Sequence, residues 1–300
     1  MNERRYLVGL IGADIGPSLS PALHEREADA QGLRYLYQLI DLEQLGSEAG
    51  DVGRLLAAAR LMGYRGLNVT HPCKQAVVRH LDELSPEVIA LGAANTVVFE
   101  AGRAIGHNTD RYGFERSFAA GLPEVARERV LLLGAGGAGA AVAHAMLDLG
   151  TGQIAVLDLD PDRSAELVAG LCRRFGSGRA VSLRPEQLAG WIARANGVIN
   201  ATPVGMAAHP GLPLPLELLR PDLWVADIVY RPLETALLAA ARRIGCRTLD
   251  GAGMALFQAA ESFRLFTGLR PDVERMMRHL RQLMAREGAE SCERRSPPSP

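Results

Sequence analysis

Lys74 ends the run Asn68-Val69-Thr70-His71-Pro72-Cys73-Lys74, and Asp110 ends the run Gly106-His107-Asn108-Thr109-Asp110. An amine and a carboxylate just beyond two strand ends are the residue types of a proton-transfer pair. Residues 66–69 read as a strand, and Pro72 begins a helix that carries Lys74 in its first turn. A cation there opposes the helix dipole, a placement that stability alone does not select, and the dipole acts to lower its pKa. The alternative is a solvated lysine at a helix end. Asp110 precedes a helix opening at Tyr112-Gly113-Phe114 and reads equally as its N-cap. Beside Lys74 it would raise the amine's pKa against the dipole, and the sequence does not decide between the two.

The first loop, residues 12–21, carries Ser18 and Ser20. Ser20 before Pro21 is a favoured N-cap and N1 pair, whereas Ser18 has no such structural reason. Two hydroxyls at a helix N-terminus also suit a carboxylate, so capping and binding are compatible.

A second group of residues specifies a cofactor. Val130-Leu131-Leu132-Leu133 reads as a buried strand, followed by Gly134-Ala135-Gly136-Gly137-Ala138-Gly139 and a helix over 140–149. Gly134 makes the tight turn, Gly136 admits a pyrophosphate to the backbone, and Gly139 lets the helix pack close, which together form a dinucleotide fingerprint. The next strand, residues 153–157, delivers Asp158 at its carboxyl end. A carboxylate there accepts hydrogen bonds from the adenosine ribose hydroxyls and repels a 2′-phosphate, which selects NAD over NADP. Arg163 is a cation that could grip such a phosphate, but Asp158 and Asp160 put two negative charges where it would sit.

The elements around these residues alternate. Strands over 6–11, 35–41 and 66–69 and helices over 21–31 and 52–62 are followed by a hairpin, 96–99 with 104–107, turning at Ala101-Gly102. Further strands fall at 197–200, 224–228 and 247–249. The chain is helical again from Met254, where Leu256, Phe257, Ala260, Phe263 and Phe266 recur at helical spacing, and once more after Pro271. The fold class is α/β with two domains. Residues 1–118 with 253–286 form a substrate domain, and 119–252 form an NAD-binding Rossmann domain with a doubly wound parallel sheet. The C-terminal helices return to the first domain, and the polar, proline-rich residues 287–300 are expected to be disordered. A cleft between the domains would take substrate from one side and nicotinamide from the other.

Composition excludes several classes. With 300 residues, 48% of them hydrophobic, the chain can build two cores, and a net charge of −1 offers no nucleic-acid footprint. No apolar run reaches membrane-spanning length, and Met1-Asn2-Glu3-Arg4-Arg5 passes straight into a strand, so a cytoplasmic location without a membrane partner is expected. Cys73, Cys172, Cys246 and Cys292 are scattered and the seven histidines show no ligand spacing, so no metal is expected. Cys73, though beside Lys74, reads first as a small buried apolar residue.

Together these segments resemble the shikimate/quinate dehydrogenase family from residue 6 to about 283. The motifs are Ser18-Leu19-Ser20-Pro21, Asn68 through Lys74, Gly92-Ala93-Ala94-Asn95-Thr96, Asn108-Thr109-Asp110, Asn200-Ala201-Thr202-Pro203-Val204-Gly205-Met206, Asp227-Ile228-Val229-Tyr230-Arg231-Pro232 and Asp250-Gly251. The resemblance implies that Lys74 and Asp110 are the catalytic pair, Lys74 taking a hydroxyl proton as hydride passes to the nicotinamide. It implies Ser18, Ser20 and Tyr230 around a substrate carboxylate, and Thr70, Asn95, Asp110 and Gln258 around ring hydroxyls. Thr202, Pro203, Met206, Ile228 and Gly251 would lie on the nicotinamide side. The expected ligand is a hydroxylated cyclohexane or cyclohexene carboxylate, bound by a monomer or homodimer.

Two departures bear on the cofactor. NADP-using biosynthetic members carry an asparagine-arginine-threonine-like stretch where this chain has Asp158-Leu159-Asp160, and they tend to have histidine in place of Pro17. Both point to the NAD-dependent quinate/shikimate branch. Quinate, shikimate and their aminated analogues are not separated by the sequence. A non-catalytic, NAD-responsive regulatory protein would keep the same fold, but the presence of both Lys74 and Asp110 argues against it.

Overall fold

The computed structural model describes residues 5–293, with the backbone alone for 287–293. The chain divides into two compact units, one running to Thr109 and resuming at Ala259, the other spanning Asp110–Gln258. The sequence-based boundaries, at 118/119 and 252/253, fall within or at the start of helices that cross this division.

The first unit contains β1 (Arg5–Gly12), α1 (Ser20–Ala30), β2 (Arg34–Asp41), α2 (Leu42–Leu45), α3 (Val52–Leu61), β3 (Gly66–Val69), α4 (Cys73–Ala76), β4 (Glu83–Leu84), α5 (Pro86–Leu91), β5 (Thr96–Glu100) and β6 (Arg103–His107). The sheet order is β2-β1-β3-β5-β6-β4. β1 lies parallel to β2 and β3, and the β5–β6 hairpin is antiparallel. Ala101 and Gly102 both have positive φ, 48° and 78°, the backbone that lets a two-residue turn follow the twist of its strands. Alternate residues face opposite cores, with Ile11, Leu67, Val69 and Val97 on one side and Val8, Leu10 and Val98 on the other.

The second unit begins with α6 (Thr109–Gly121) and continues through β7 (Arg129–Leu133), α7 (Gly137–Asp148), β8 (Gln153–Leu157), α8 (Pro161–Phe175), β9 (Ala180–Ser182), α9 (Leu188–Ile192), β10 (Gly197–Asn200), β11 (Trp224–Asp227), α10 (Ala236–Ile244) and β12 (Arg247–Leu249). The order β12-β11-β10-β7-β8-β9 is parallel throughout and reverses direction beside β7, as in a Rossmann sheet. Both faces are covered, which explains the unbroken apolar run of β7. Val130 and Leu132 pack under α7, while Leu131 and Leu133 enter the core that holds Leu237 and Leu238 of α10.

α11 (Ala252–Thr267) and α12 (Val273–Glu293) follow. From Ala259 onward they belong to the first unit. There the wholly buried carboxylate of Glu27 accepts from Arg275 Nε at 2.8 Å and Nη2 at 2.7 Å, from the Asp272 N–H at 2.8 Å and from Gln31 Nε2 at 2.7 Å. The expected disorder from residue 287 is corrected in part. The amphipathic α12 continues through Glu293 because Ala285-Arg286-Glu287-Gly288-Ala289-Glu290 holds good helix formers around one glycine, and residues 294–300 lie outside those described. β4 and β9 were not foreseen, being two- and three-residue strands. No helix among the described residues is long and apolar enough to cross a membrane, and no group of three His, Cys, Asp or Glu among them is placed to hold a metal ion.

Candidate active site

In the first unit Ser18, Ser20, Thr70 and Lys74 follow the carboxyl ends of β1 and β3, on loops and first helical turns, and Asn95 immediately precedes β5. These loops are in contact. Ala13 N–H donates to His71 O at 3.0 Å, and a Cβ on Gly12 would lie 2.3 Å from Thr70 Cγ2. The half-buried Lys74 follows, its carbonyl accepting from Ala94 N–H at 2.9 Å, directly before Asn95.

The dipole argument for Lys74 is corrected. α4 is a single turn of four residues, capped by Pro72 rather than begun by it, so there is hardly a macrodipole to oppose. Cys73 is buried in the apolar core, and that burial pushes its thiol pKa up.

Ser20 is not the N-cap of α1. Leu19 occupies that position, and no side chain caps the helix. Ser18 has a structural partner after all, since the Ser20 N–H donates to its Oγ at 3.3 Å. Asp110 is not a cap either. The helix expected to open at Tyr112 opens earlier, at Thr109, which leaves the buried Asp110 inside the first turn of α6.

A buried network holds this region. The Asn95 Oδ1 accepts from the Thr109 N–H at 2.8 Å and from the Thr96 hydroxyl at 3.0 Å, and Asn95 Nδ2 donates to Thr109 Oγ1 at 3.0 Å. Asn68 Nδ2 donates to Thr96 Oγ1 and to Ser262 Oγ, each at 3.0 Å, and Tyr37 Oη donates to Asn68 Oδ1 at 2.8 Å. Asn95 thereby fixes the residue that immediately precedes Asp110. Sequence reasoning missed Tyr37, Asn68 and Ser262, although Asn68, a polar residue between Leu67 and Val69 in a strand buried at every position, was a readable signal.

In the second unit, the candidate residues lie on loops at the carboxyl ends of β7, β8, β10, β11 and β12. Gly134 has φ 96°, and a Cβ on Gly139 would lie 2.1 Å from Gly134 O, so the turn needs one glycine and the close packing of α7 the other. A Cβ on Gly136 or Gly137 would meet nothing within 4 Å. α7 opens at Gly137 rather than Ala140, so its first N–H groups, with Ala138, belong to the glycine loop itself. That open, donor-rich cradle fits a pyrophosphate.

Asp158 binds the loop directly. Its Oδ2 accepts from the Ala135 N–H at 2.6 Å and its Oδ1 from the Asp160 N–H at 2.9 Å. The exposed Arg163 lies 3.7 Å from Asp158 and 3.6 Å from Asp160. Asp160 caps α8.

Thr202 donates its hydroxyl to Asn200 Oδ1 at 2.7 Å, and Asn200 Nδ2 donates to Asp227 Oδ1 at 2.9 Å. Asp227 also accepts from Thr235 Oγ1 at 2.8 Å and from the Val229 N–H at 3.0 Å. Burial raises the pKa of its carboxyl, against the pull of these three donors. A Cβ on Gly251 would lie 2.3 Å from Ile228 O, so the loop after β12 presses on the one after β11. Pro203 and Met206 are exposed and Tyr230 is half-buried. Gln258 on α11 packs against Gly113, one turn along α6 from Asp110.

A family model described as the shikimate dehydrogenase substrate binding domain matches residues 10–97, and one described as the shikimate 5′-dehydrogenase C-terminal domain matches residues 251–281. A shikimate dehydrogenase (NADP(+)) of Streptomyces avermitilis is 61% identical over 94% of this chain and 97% of its own length. A quinate/shikimate dehydrogenase (NAD(+)) of Corynebacterium efficiens is 48% identical over 92% of this chain and 98% of its own. The solved quinate dehydrogenase of Corynebacterium glutamicum in complex with NAD superposes with a TM-score of 0.88 at 47% identity, covering 93% of this chain and 99% of that one. With that identity sustained along nearly its whole length, the chain belongs to the shikimate/quinate dehydrogenase family, whose reaction uses a nicotinamide cofactor.

Proposed function

We propose that the chain is a cytoplasmic, NAD-linked dehydrogenase of quinate- and shikimate-type ring acids, acting as a monomer or homodimer. The observation that carries the cofactor choice is Asp158. Its carboxylate lies at the end of β8, bonded to the glycine loop, with Asp160 two residues on. Two acids at the place of a 2′-phosphate disfavour NADP.

A nicotinamide held by the second unit's loops would supply the hydride acceptor for the ring carbon that bears the hydroxyl. Lys74 takes the hydroxyl proton, and Asp110 holds the amine in place. Asn95 keeps the Asn108–Thr109 peptide fixed, and with Thr70, Asp110 and Gln258 it binds the ring hydroxyls. Ser18, Ser20 and Tyr230 take the carboxylate. Gly134, Gly136, Gly137, Ala138 and Gly139 cradle the pyrophosphate, and Thr202, Pro203, Met206, Ile228 and Gly251 line the nicotinamide side.

The test is steady-state oxidation of quinate, shikimate and their amino analogues, each with both cofactors. NADH formation from none of them would refute the reading. Lys74→Met is expected to lower kcat by about 10²–10⁴-fold, the usual contribution of a positioned acid–base group. A second reading, NADP use, is favoured by Arg163, which stands beside the two acids, and by the NADP-named Streptomyces relative. A higher kcat/KM with NADP than with NAD would establish it.

A further inference from the structure

Asp110 lies in the first turn of α6 with Arg111 directly after it, and both belong to the second unit. Apolar contacts seat this helix. Phe114 and Phe118, buried and four residues apart, join the core that holds Val142 and Met146 of α7. α11 presses on α6 at Gly113, where a Cβ would lie 2.6 Å from Met254 O. Apolar burial is non-directional, so it holds the helix down more firmly than it fixes its rotation. Side-chain ends stand about 5 Å from a helix axis, and a turn of about 20° carries one through about 2 Å.

The directional contact is made by Arg111. Its Nη2 lies 2.7 Å from Asp148 Oδ2, and with 19% and 26% of the two side chains exposed this is not a solvated surface pair. Arg111 Nε is buried without an acceptor among the described residues. Asp148 is the last residue of α7, the helix that begins in the glycine loop. Arg111 opposes the dipole of its own helix and Asp148 that of α7, yet each charge complements the end of the other helix. The placement is therefore compensated only where the two ends meet. One turn before Asp148, the pKa of the buried His144 is lowered from 6.5 to about 4 by burial and by the charges of Arg174 and Arg111. It is neutral near pH 7 and leaves Asp148 to the arginine.

We propose that Arg111 is a positioning residue: its ion pair with Asp148 fixes the rotation of α6 against α7, and with it the place of the Asp110 carboxylate. Asn95 holds the residue before Asp110, and Arg111 is the tie on the residue after it. The inference rests on the reading that Asp110 is catalytic, and it goes beyond that reading by naming the pair that holds the carboxylate in register with the glycine-loop helix.

The experiment is steady-state oxidation of quinate and shikimate by the parent chain, Arg111→Met, Arg111→Lys, Asp148→Asn, the Arg111→Met/Asp148→Asn double variant and Asp110→Asn. NAD affinity is measured alongside by calorimetry and stability by thermal melting. Arg111→Met should lower kcat by about ten- to a hundredfold, the effect of a misplaced catalytic group, with KM for the ring acid and Kd for NAD held within about twofold. Asp148→Asn should lower kcat similarly, the double variant no further than either single one, and Arg111→Lys should recover most of the loss. A parent-like kcat in Arg111→Met, a loss confined to KM or to the melting temperature, or losses that multiply in the double variant would overturn the proposal. Should Arg111→Met not fold, a parent-like kcat in Asp148→Asn overturns it alone. A parent chain that oxidises neither substrate, or an Asp110→Asn chain with the parent's kcat, refutes the proposed function of that site instead, and this inference with it.

Discussion

His24 is buried on α1 within an aromatic cluster, its ring 5.0 Å from that of Tyr37, 6.0 Å from Phe263 and 6.3 Å from Phe266, and its Nδ1 3.0 Å from the Tyr35 hydroxyl. Burial lowers its pKa from 6.5 to about 3. The unfolded chain therefore binds a proton that the folded chain refuses as pH falls from 6.5 towards 3, and stability is lost across that window. The loss attributable to this one ring is about 0.8 kcal/mol at pH 6 and about 2 kcal/mol at pH 5. His24→Asn places an amide near the position of Nδ1 and removes the titrating group. The cavity it leaves lowers stability at every pH, but the further loss between pH 7 and pH 5 should be about 2 kcal/mol smaller than in the parent. Urea unfolding at both pH values measures this. Trp191 and Trp224, the two tryptophans of the chain, lie in the second unit, so far-UV circular dichroism must be followed alongside fluorescence to see the first. An equal loss in parent and variant would refute the reasoning.

Three further outcomes are expected. Asp158→Ala removes the acceptor of the Ala135 N–H and, on the proposed function, the anion set against a 2′-phosphate, so NAD binding should weaken by about tenfold or more while the NADP-to-NAD ratio of kcat/KM rises; an unchanged ratio would show that Asp158 does not discriminate. Asp227 has a raised pKa, so its ionised form costs stability as pH rises from the ordinary carboxylate range through the raised value; Asp227→Asn should flatten that fall in a pH series of thermal melts. Arg275→Ala leaves the buried Glu27 carboxylate without its bidentate partner and should cost about 3 kcal/mol in urea unfolding, the low end for a broken buried pair because Arg275 is partly exposed.

The second unit was largely legible because its signals are local. The apolar run of β7, the glycines after it and Asp158 nineteen residues beyond Gly139 occupy one short stretch, and the strand ends foreseen at Leu133 and Leu157 are the observed ones. The errors fell where a partner distant in sequence decides. Tyr37 donates to Asn68 Oδ1 across 31 residues, and nothing local to either residue marks that bond. Asn68 finds Ser262 across 194 residues, and no periodicity marks that pairing. β4 and β9 are too short to carry a pattern of alternation.

Both units meet the same physical problem at the carboxyl ends of their strands, where the backbone ladder stops and loops must still be held. In the first unit the amides of Asn68 and Asn95 take over from the ladder, and in the second the Asn200 amide and the Asp227 carboxylate do. Asn95 accepts from the Thr109 N–H beyond β6, and Asp227 from the Val229 N–H beyond β11. A buried amide or carboxylate is costly unless fully bonded, so each such residue admits few loop conformations. The loops that carry the candidate residues are thereby ordered by the fold itself, before any ligand contributes, which is what preorganised recognition of a small polar ring requires.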